Sequence, residues 1–478
     1  MSPSVSKSNC TACTPALCKL PDKEKNQGNR MSHTLQGLTE MLLNAAKKSG
    51  ADNADAMAVQ GQSLSIDVRG GQLEQAERAE GTDIGLRVLI GQRQACVSAS
   101  DISASTILEM AQRAVAMAKE APIDPFIGLA NSDALAQSWD IAALELSDPA
   151  QEPTPDALQE DAKQAEQAAL GATGISQVET ASAGYSHHAI HLATSNGFAG
   201  GYARTGRSIS CVAVAGTGSG MESDYDADSR IFQSDLRPAA EIGQRAAERS
   251  LERLGARKPK TGAYPVLFDE RVAASLISHL LAASNGSAIA RGGSWLRDSL
   301  GKQVLPNALS IIEDPHRPRT SGSRPFDGEG LPTAQRCIVE NGILQGWTLD
   351  LATARKLDMT STANAARGTG SPPGPANWNA SVTQGHQSRQ DLMRDMGTGL
   401  LVTSMIGATI NPNTGDYSRG AAGFWIENGE IAYPVNECTI AGSLPEMLLT
   451  LIPANDARLH LSRVVPSCLI EGMTLAGE

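Results

Sequence analysis

Alternation of apolar and polar residues, interrupted by glycine turns, most limits how this chain can fold. Leu64, Ile66 and Val68 lie on one face of an extended run that stops at Gly70-Gly71. Ile84, Leu86, Val88 and Ile90 form the next run, and Gly91-Gln92 turns it into Ala95–Ala99. Successive strand side chains point to opposite faces, so runs of this kind joined by tight turns predict an antiparallel meander with one buried face. An amphipathic helix carrying Leu35, Leu38, Leu42 and Ala45 comes before it and ends at Gly50. A second, Ser103–Glu120, turns Ile107, Met110, Ala111, Ala114 and Val115 inward, capped by Asp101 or Ser103 and stopped at Pro122 and Asp124-Pro125.

The order then recurs. Residues 126–153 read as loop, and Thr154-Pro155 opens a helix that runs to Leu170. Strands are predicted at Ile175–Ala183, Ala189–Ser195, Gly200–Gly216 and Met221–Ser229, with Asn196-Gly197 as a turn, before a helix Asp235–Leu254. Helix, strands, helix, strands points to two halves of one α/β domain, although the halves are too dissimilar to be called a repeat. The basic, polar segment Gly255–Gly262 is the linker candidate. The expected fold class is α+β: a tail over 1–31, an N-terminal α/β domain with antiparallel strands over 32–255, and a β-rich C-terminal domain over 262–478.

In the C-terminal half Gly and Pro recur at short intervals, as expected of a β-rich domain. A strand Tyr264–Phe268 leads into a helix Arg271–Asn285. Ile338–Leu349 holds a hairpin turn at Asn341-Gly342, residues 363–380 read as a mobile loop, and Asp391–Met396 as a short helix. Gly399–Met405 is a strand, Asp416–Trp425 a Gly-rich turn into another, and Glu427–Glu430 a tight hairpin. A helix Leu444–Ile452 and a strand near Cys468–Ile470 finish the chain.

The formal net charge of −12 disfavours nucleic acid or an anionic membrane as a main partner. No apolar run approaches the roughly 20 residues of a membrane span, and the N-terminus has no signal-type apolar core. A cytoplasmic location is the expectation. Cys96, Cys211, Cys337, Cys438 and Cys468 are scattered singly, which suits reduced thiols. Cys10, Cys13 and Cys18 form C-x2-C-x4-C without a fourth ligand nearby, in a tail whose composition reads as disordered. The start codon is Met1 or Met31, since patterned sequence begins just after the latter.

His279 is the only titratable group inside the helix 271–285. Zinc peptidase helices pair two His one turn apart with a Glu beside the first, but here Leu280 takes the Glu position and Ala282 and Ala283 those of a second His. A core imidazole satisfied by a backbone carbonyl is the simpler reading of His279. His187 and His191 share a strand face with His188 opposed, so the three cannot gather on one metal. Asp327 and Glu329 flank Gly328 in a turn, either as an acid/base pair or as caps on backbone N–H groups. Asp416, Tyr417, Ser418 and Arg419 form the densest polar cluster of this half. Arg419 there is either a clamp on a peptide carbonyl or carboxylate, or one end of an Asp416–Arg419 pair that fixes a turn. Nucleophile-elbow, P-loop and dinucleotide fingerprints do not occur.

The blocks DSLGKQVLP (298–306), PFDGEG (325–330), MGTGLLVT (396–403), TGDYSRGAAGFWIENGEIAYPV (414–435) and TIAGSLPEML (439–448) resemble the TldD/PmbA family, specifically its PmbA branch, also called TldE. VRGGQLEQAERAEGTDIGLRV (68–88) and AEQAAL (165–170) agree, so the resemblance spans about 32–478. It implies one subunit of a cytoplasmic zinc metalloprotease, a TldD/TldE heterodimer that trims leader peptides and degrades unfolded peptides. The TldD partner carries HExxxH and a Cys ligand near its C-terminus. Laid on this chain, that helix puts Ile277 at the first His, Ser278 at the Glu and Ala282 at the second His, so all three are lost. Cys468 falls beyond the Cys-bearing loop and takes no ligand role. No catalytic residue transfers, and zinc is expected in the partner. This chain is expected to shape the chamber and hold extended peptide, with Arg419, Tyr417 and Asp416 as candidate contacts. The alternatives are a peptidase in its own right through His279 and distant residues, and a regulatory binding protein of gyrase-modulator type.

Overall fold

A computed structural model describes residues 34–478. The tail with Cys10, Cys13 and Cys18, and the choice between Met1 and Met31, fall outside the described residues. The N-terminal region is a six-stranded antiparallel sheet ordered 3-2-1-4-5-6. Its strands are β1 (Asn53–Arg69), β2 (Gln72–Ile90), β3 (Arg93–Ala99), β4 (Ile175–Thr194), β5 (Ala199–Ala215) and β6 (Glu222–Arg230). The strands predicted at 175–183 and 189–195 are one: β4 is paired with β1 on one edge and β5 on the other, which carries its polar centre Gly184–His188 through the sheet.

Even-numbered residues of β1 face the helices. Ala54, Ala56 and Ala58, with Ile84, Leu86 and Val88 of β2, pack under α1 (Leu35–Ser49) and α2 (Ala104–Glu120). Further along the same face Leu64, Ile66 and Val68 pack under α3 (Pro155–Leu170) and α4 (Ala239–Glu252). Thr34, Ser103 and Thr154 each accept a backbone N–H at a helix N-terminus, as sequence of this type requires. α4 starts later than the predicted Asp235, because Pro238 occupies its N-cap and a 3-10 turn takes Gln233–Asp235.

The C-terminal region holds a closed five-strand ring. β7 (Gly262–Phe268) pairs in parallel with β8 (Gly399–Ile410), and the ring continues antiparallel through β9 (Asp416–Glu427), β10 (Glu430–Ser443) and β11 (Cys468–Ala476) back to β7. Closure removes free sheet edges where the strands overlap, and β8 runs on past its three-residue pairing with β7. The helix α5 (Glu270–Ala283) follows β7 and shares one core with the ring through Leu276, Ile277 and Leu280. A second, five-stranded sheet of short strands includes Ile311–Glu313, Arg336–Glu340 and Ala380–Val382. Asp416–Trp425 is not a turn into a strand: all of it is strand, paired with β8 and β10, and the turn lies before it at 411–415.

Odd-numbered residues at the β1 start face the C-terminal region. The segment 363–380, expected to be mobile, is tied down there. Arg367 reaches Asp55, and the Thr369 backbone lies over Gly85. Phe326 stacks edge-on with Trp139, Phe198 and Tyr202 across the same junction, at centroid distances of 5.0, 4.9 and 5.6 Å. A Cβ on Gly85 would sit 2.1 Å from the Thr369 carbonyl oxygen, whereas one on Gly81 of the same strand meets nothing within 4 Å. Gly85→Ala is therefore expected to destabilise the chain by about 1–3 kcal/mol, and Gly81→Ala to be neutral or slightly stabilising. Urea unfolding of the pair checks this, and equal effects would refute the close approach of loop and sheet.

Candidate functional site

Asp269 caps α5 by accepting the Arg271 N–H at 3.1 Å. The helix turns Ile277 fully into the core and leaves Ser278 and Ala282, four residues apart, on its open face. Ser278 Oγ donates to the Ala274 carbonyl at 2.8 Å. His279 is half-buried beside them. Its ring meets Tyr417 edge to face, centroids 6.0 Å apart at 74°. The expected backbone carbonyl is not its partner: Nε2 is buried with no hydrogen bond. Burial first, and then the Arg419 charge, hold the imidazole below its usual pKa, so it is neutral at pH 7.

Because 416–427 is a strand, its polar cluster is divided by alternation. Tyr417 and Arg419 share a face with His279. The Tyr417 phenol is buried, lies 3.3 Å from Met405 sulfur and is pushed up to about 12 by burial. Arg419 Nε donates to the Gly407 carbonyl at 2.6 Å, bridging β9 to β8. Asp416 is on the other face, exposed, and accepts from Thr414 Oγ1 at 2.6 Å, so no Asp416–Arg419 pair forms. Next to Gly407, Ile406 is 77% exposed.

Zinc does not fit these residues. Ile277 and Ala282 offer no donor atom, the Ser278 hydroxyl is engaged, and His279 has no second ligand at hand. Among the described residues no three His, Cys, Asp or Glu side chains converge to hold a metal. Cys468 is fully buried in β11, where burial raises its thiol pKa. His191 bonds Thr39 of α1 at 2.9 Å, while His188 packs beside Gly61 on the opposite sheet face.

A denser polar centre lies at the junction of the two regions, and the sequence reading missed it. Asp55 is fully buried and holds two arginines: Arg87 at 2.7 Å from its neighbour strand, and Arg367 from the 363–380 segment. Burial pushes the Asp55 pKa up, but the two guanidinium groups outweigh it and the net direction is down. Beside them Asp327 and Glu329 act as caps. Asp327 Oδ1 accepts the N–H groups of Glu329 and Leu331, both at 2.9 Å, and Oδ2 that of Ala365 at 3.1 Å. Glu329 accepts the Leu351 N–H at 2.9 Å. Burial, and for Glu329 the neighbouring Asp327 charge, push both upward, Asp327 to about 6. The PFDGEG block was visible in the sequence; the Asp55 pairing with Arg367, 312 residues away, was not.

A β-sheet domain joined to a closed barrel by this junction, with the helix α5 sharing the barrel core, defines the class to which the comparisons point. Three family models match in turn: the PmbA/TldA metallopeptidase domain 1 at 54–118, its central domain at 148–254 and its C-terminal domain at 261–477. The metalloprotease PmbA of Escherichia coli O157:H7 is 38% identical over 92% of this chain and 95% of its own. The chain belongs to the PmbA/TldD family. A Bacteroides thetaiotaomicron protein described as a candidate modulator of DNA gyrase has the same fold, with TM-score 0.86, 27% identity, and coverage of 93% of this chain and all (100%) of the other. TldE of Thermococcus kodakarensis matches in fold with TM-score 0.79 at 21% identity, over 92% of this chain and 100% of its own. A metalloprotease TldD homologue of Buchnera aphidicola is more distant, 24% identical over 50% of each chain. Among the described residues no helix is long and apolar enough to cross a membrane.

The raised carboxyls at 327 and 329 give a signed pH dependence. A carboxyl whose folded pKa is raised favours the folded state while protonated, and that contribution is lost as pH climbs from the ordinary carboxylate range through the folded value. Glu329→Gln keeps an acceptor for the Leu351 N–H and removes the charge beside Asp327. The variant is expected to melt a few degrees above the native chain at pH 8 and to converge with it near pH 4. Melting curves across that range decide it, and a difference independent of pH would refute the buried-carboxyl account.

Proposed function

We propose that this chain is the metal-free subunit of a TldD/TldE-type zinc metalloprotease, acting in the cytoplasm on leader peptides and unfolded peptides. The observation that carries this reading is the open face of α5, where Ser278 and Ala282 stand without a metal donor although the family is one of metallopeptidases. The zinc and the general base then come from a TldD-type partner chain. The barrel wall beside that face supplies the peptide contacts. The edge of β8 past Val402, where its pairing with β7 ends, can grip an extended chain by strand addition, which is tolerant of sequence. Arg419 and Tyr417 stand on the α5 side of that wall, and Asp416 on the other.

The reading makes the activity a property of two chains. The purified chain alone is expected to cleave no unfolded peptide and to bind no stoichiometric zinc. Adding a TldD-type chain restores cleavage that a chelator abolishes. Arg419→Ala in the pair is expected to raise KM about tenfold, roughly the 1.4 kcal/mol of one good contact, with assembly unchanged and the melting temperature lowered slightly by loss of the Gly407 contact. Zinc-dependent cleavage by this chain alone would overturn the proposal in favour of an independent peptidase. Co-purification with gyrase and no TldD-type chain would overturn it in favour of a regulatory binder, the role in the description of the Bacteroides relative.

A further inference from the structure

Between the odd face of the β1–β4–β5 sheet and the 324–367 walls lies a cavity of about 170 Å³. Five or six waters at roughly 30 Å³ each would fill it. Its N-terminal wall is apolar, made by Met57, Ile190 and Leu192, and Phe326 closes the opposite side. Two arginines also line it, and this is the anomaly. The Arg367 side chain is 1% exposed; one nitrogen holds Asp55, while Nε and Nη2 are buried without an acceptor. Arg324 forms no ion pair among the described residues. Its guanidinium lies 3.6 Å over the Trp378 ring, and its one hydrogen bond, to the Gly322 carbonyl, is long at 3.5 Å.

Buried guanidinium N–H groups left without acceptors cost free energy, more than neutral ones do. Asp327, the carboxylate in the same wall, does not answer them, since both its oxygens are taken by backbone N–H groups. Asp55 is already shared between Arg87 and Arg367. Among the described residues Arg324 therefore lines the space without an anionic partner, and the buried Arg367 guanidinium adds positive charge behind the same wall. The planar fork of an arginine matches a carboxylate, and an aliphatic tail matches Met57, Ile190 and Leu192.

We infer that this junction cavity is a binding site for a small aliphatic carboxylate, held by Arg324, with the Arg367 charge behind the wall and the ligand's tail against the apolar sheet face. The carboxylate is either that of a free short-chain acid or the C-terminus of a peptide with a small apolar last residue. The site is separate from the α5 face and does not depend on the peptidase reading.

Calorimetric titration of the full chain tests it, with sodium butyrate, butyramide, and an Ala-Val dipeptide with free or amidated C-terminus. Saturable one-to-one binding of butyrate is expected, with butyramide at least tenfold weaker. Arg324→Gln is expected to weaken butyrate at least tenfold, and Ala366→Leu, which fills the cavity from the loop side, to abolish it. Circular dichroism and melting confirm that each variant is folded. Tighter binding of the free-acid dipeptide than of butyrate identifies a peptide terminus as the source, and the reverse order a free acid. No saturation by either carboxylate, equal binding of butyrate and butyramide, or undiminished binding by both folded variants would overturn the inference and leave water alone on these arginines.

Discussion

Asp55 is the residue on which the arrangement of the molecule depends. A carboxylate buried on the face of a β-sheet is costly unless its oxygens are matched by charge and hydrogen bonds. Here one oxygen is answered by Arg87 of the same sheet and the other by Arg367 of the opposite region. Neither arginine alone balances the group and its surroundings, so the pairing is complete only when the two regions are docked. Removing one member of such a set strands the remaining charge in a low-dielectric place, which is more damaging than the net worth of any one pair.

That docking has a shape requirement as well as a charge requirement. The loop bearing Arg367 can approach only because Gly85 has no side chain where the Thr369 backbone crosses. Phe326 fills the adjoining space among three aromatic rings from the sheet region. Once docked, the junction fixes the segment from Phe326 to Arg367, and this segment is continuous with the core that carries the barrel and α5. The two candidate surfaces follow from that. His279, beside the open face of α5, meets Tyr417 of β9, and the arginine-lined cavity is the part of the junction that side chains do not fill.

Sequence patterning read the secondary structure well where a segment has one buried face. The 64–68 end of β1, α2 and α3 each show it, since their apolar residues repeat with the period of the element, whereas the exposed first half of β2, from Gln72, carries no such mark. It erred where pairing on both edges decides the outcome. β4 keeps a polar centre in the sheet because both neighbours hold it, and 416–419 is strand because β8 and β10 flank it, although the run SRGAAG looks like a turn. The candidate site was legible in part. Family blocks and the Ile277, Ser278 and Ala282 substitutions on the helix were plain in the sequence. The separation of Asp416 from Tyr417 and Arg419 was not, because it required knowing that they lie on a strand.

The sequence by itself determined the two-part α+β plan, the family, and the absence of metal donors at positions 277, 278 and 282, since each rests on local periodicity or on contiguous motifs. Only the tertiary structure decided what surrounds His279, what Asp327 and Glu329 do, and that Asp55, Arg87 and Arg367 form one unit. Those are contacts between residues up to 312 positions apart. Charge pairing of that kind depends on distance in space and on exclusion of water, and neither leaves a periodic mark along the chain.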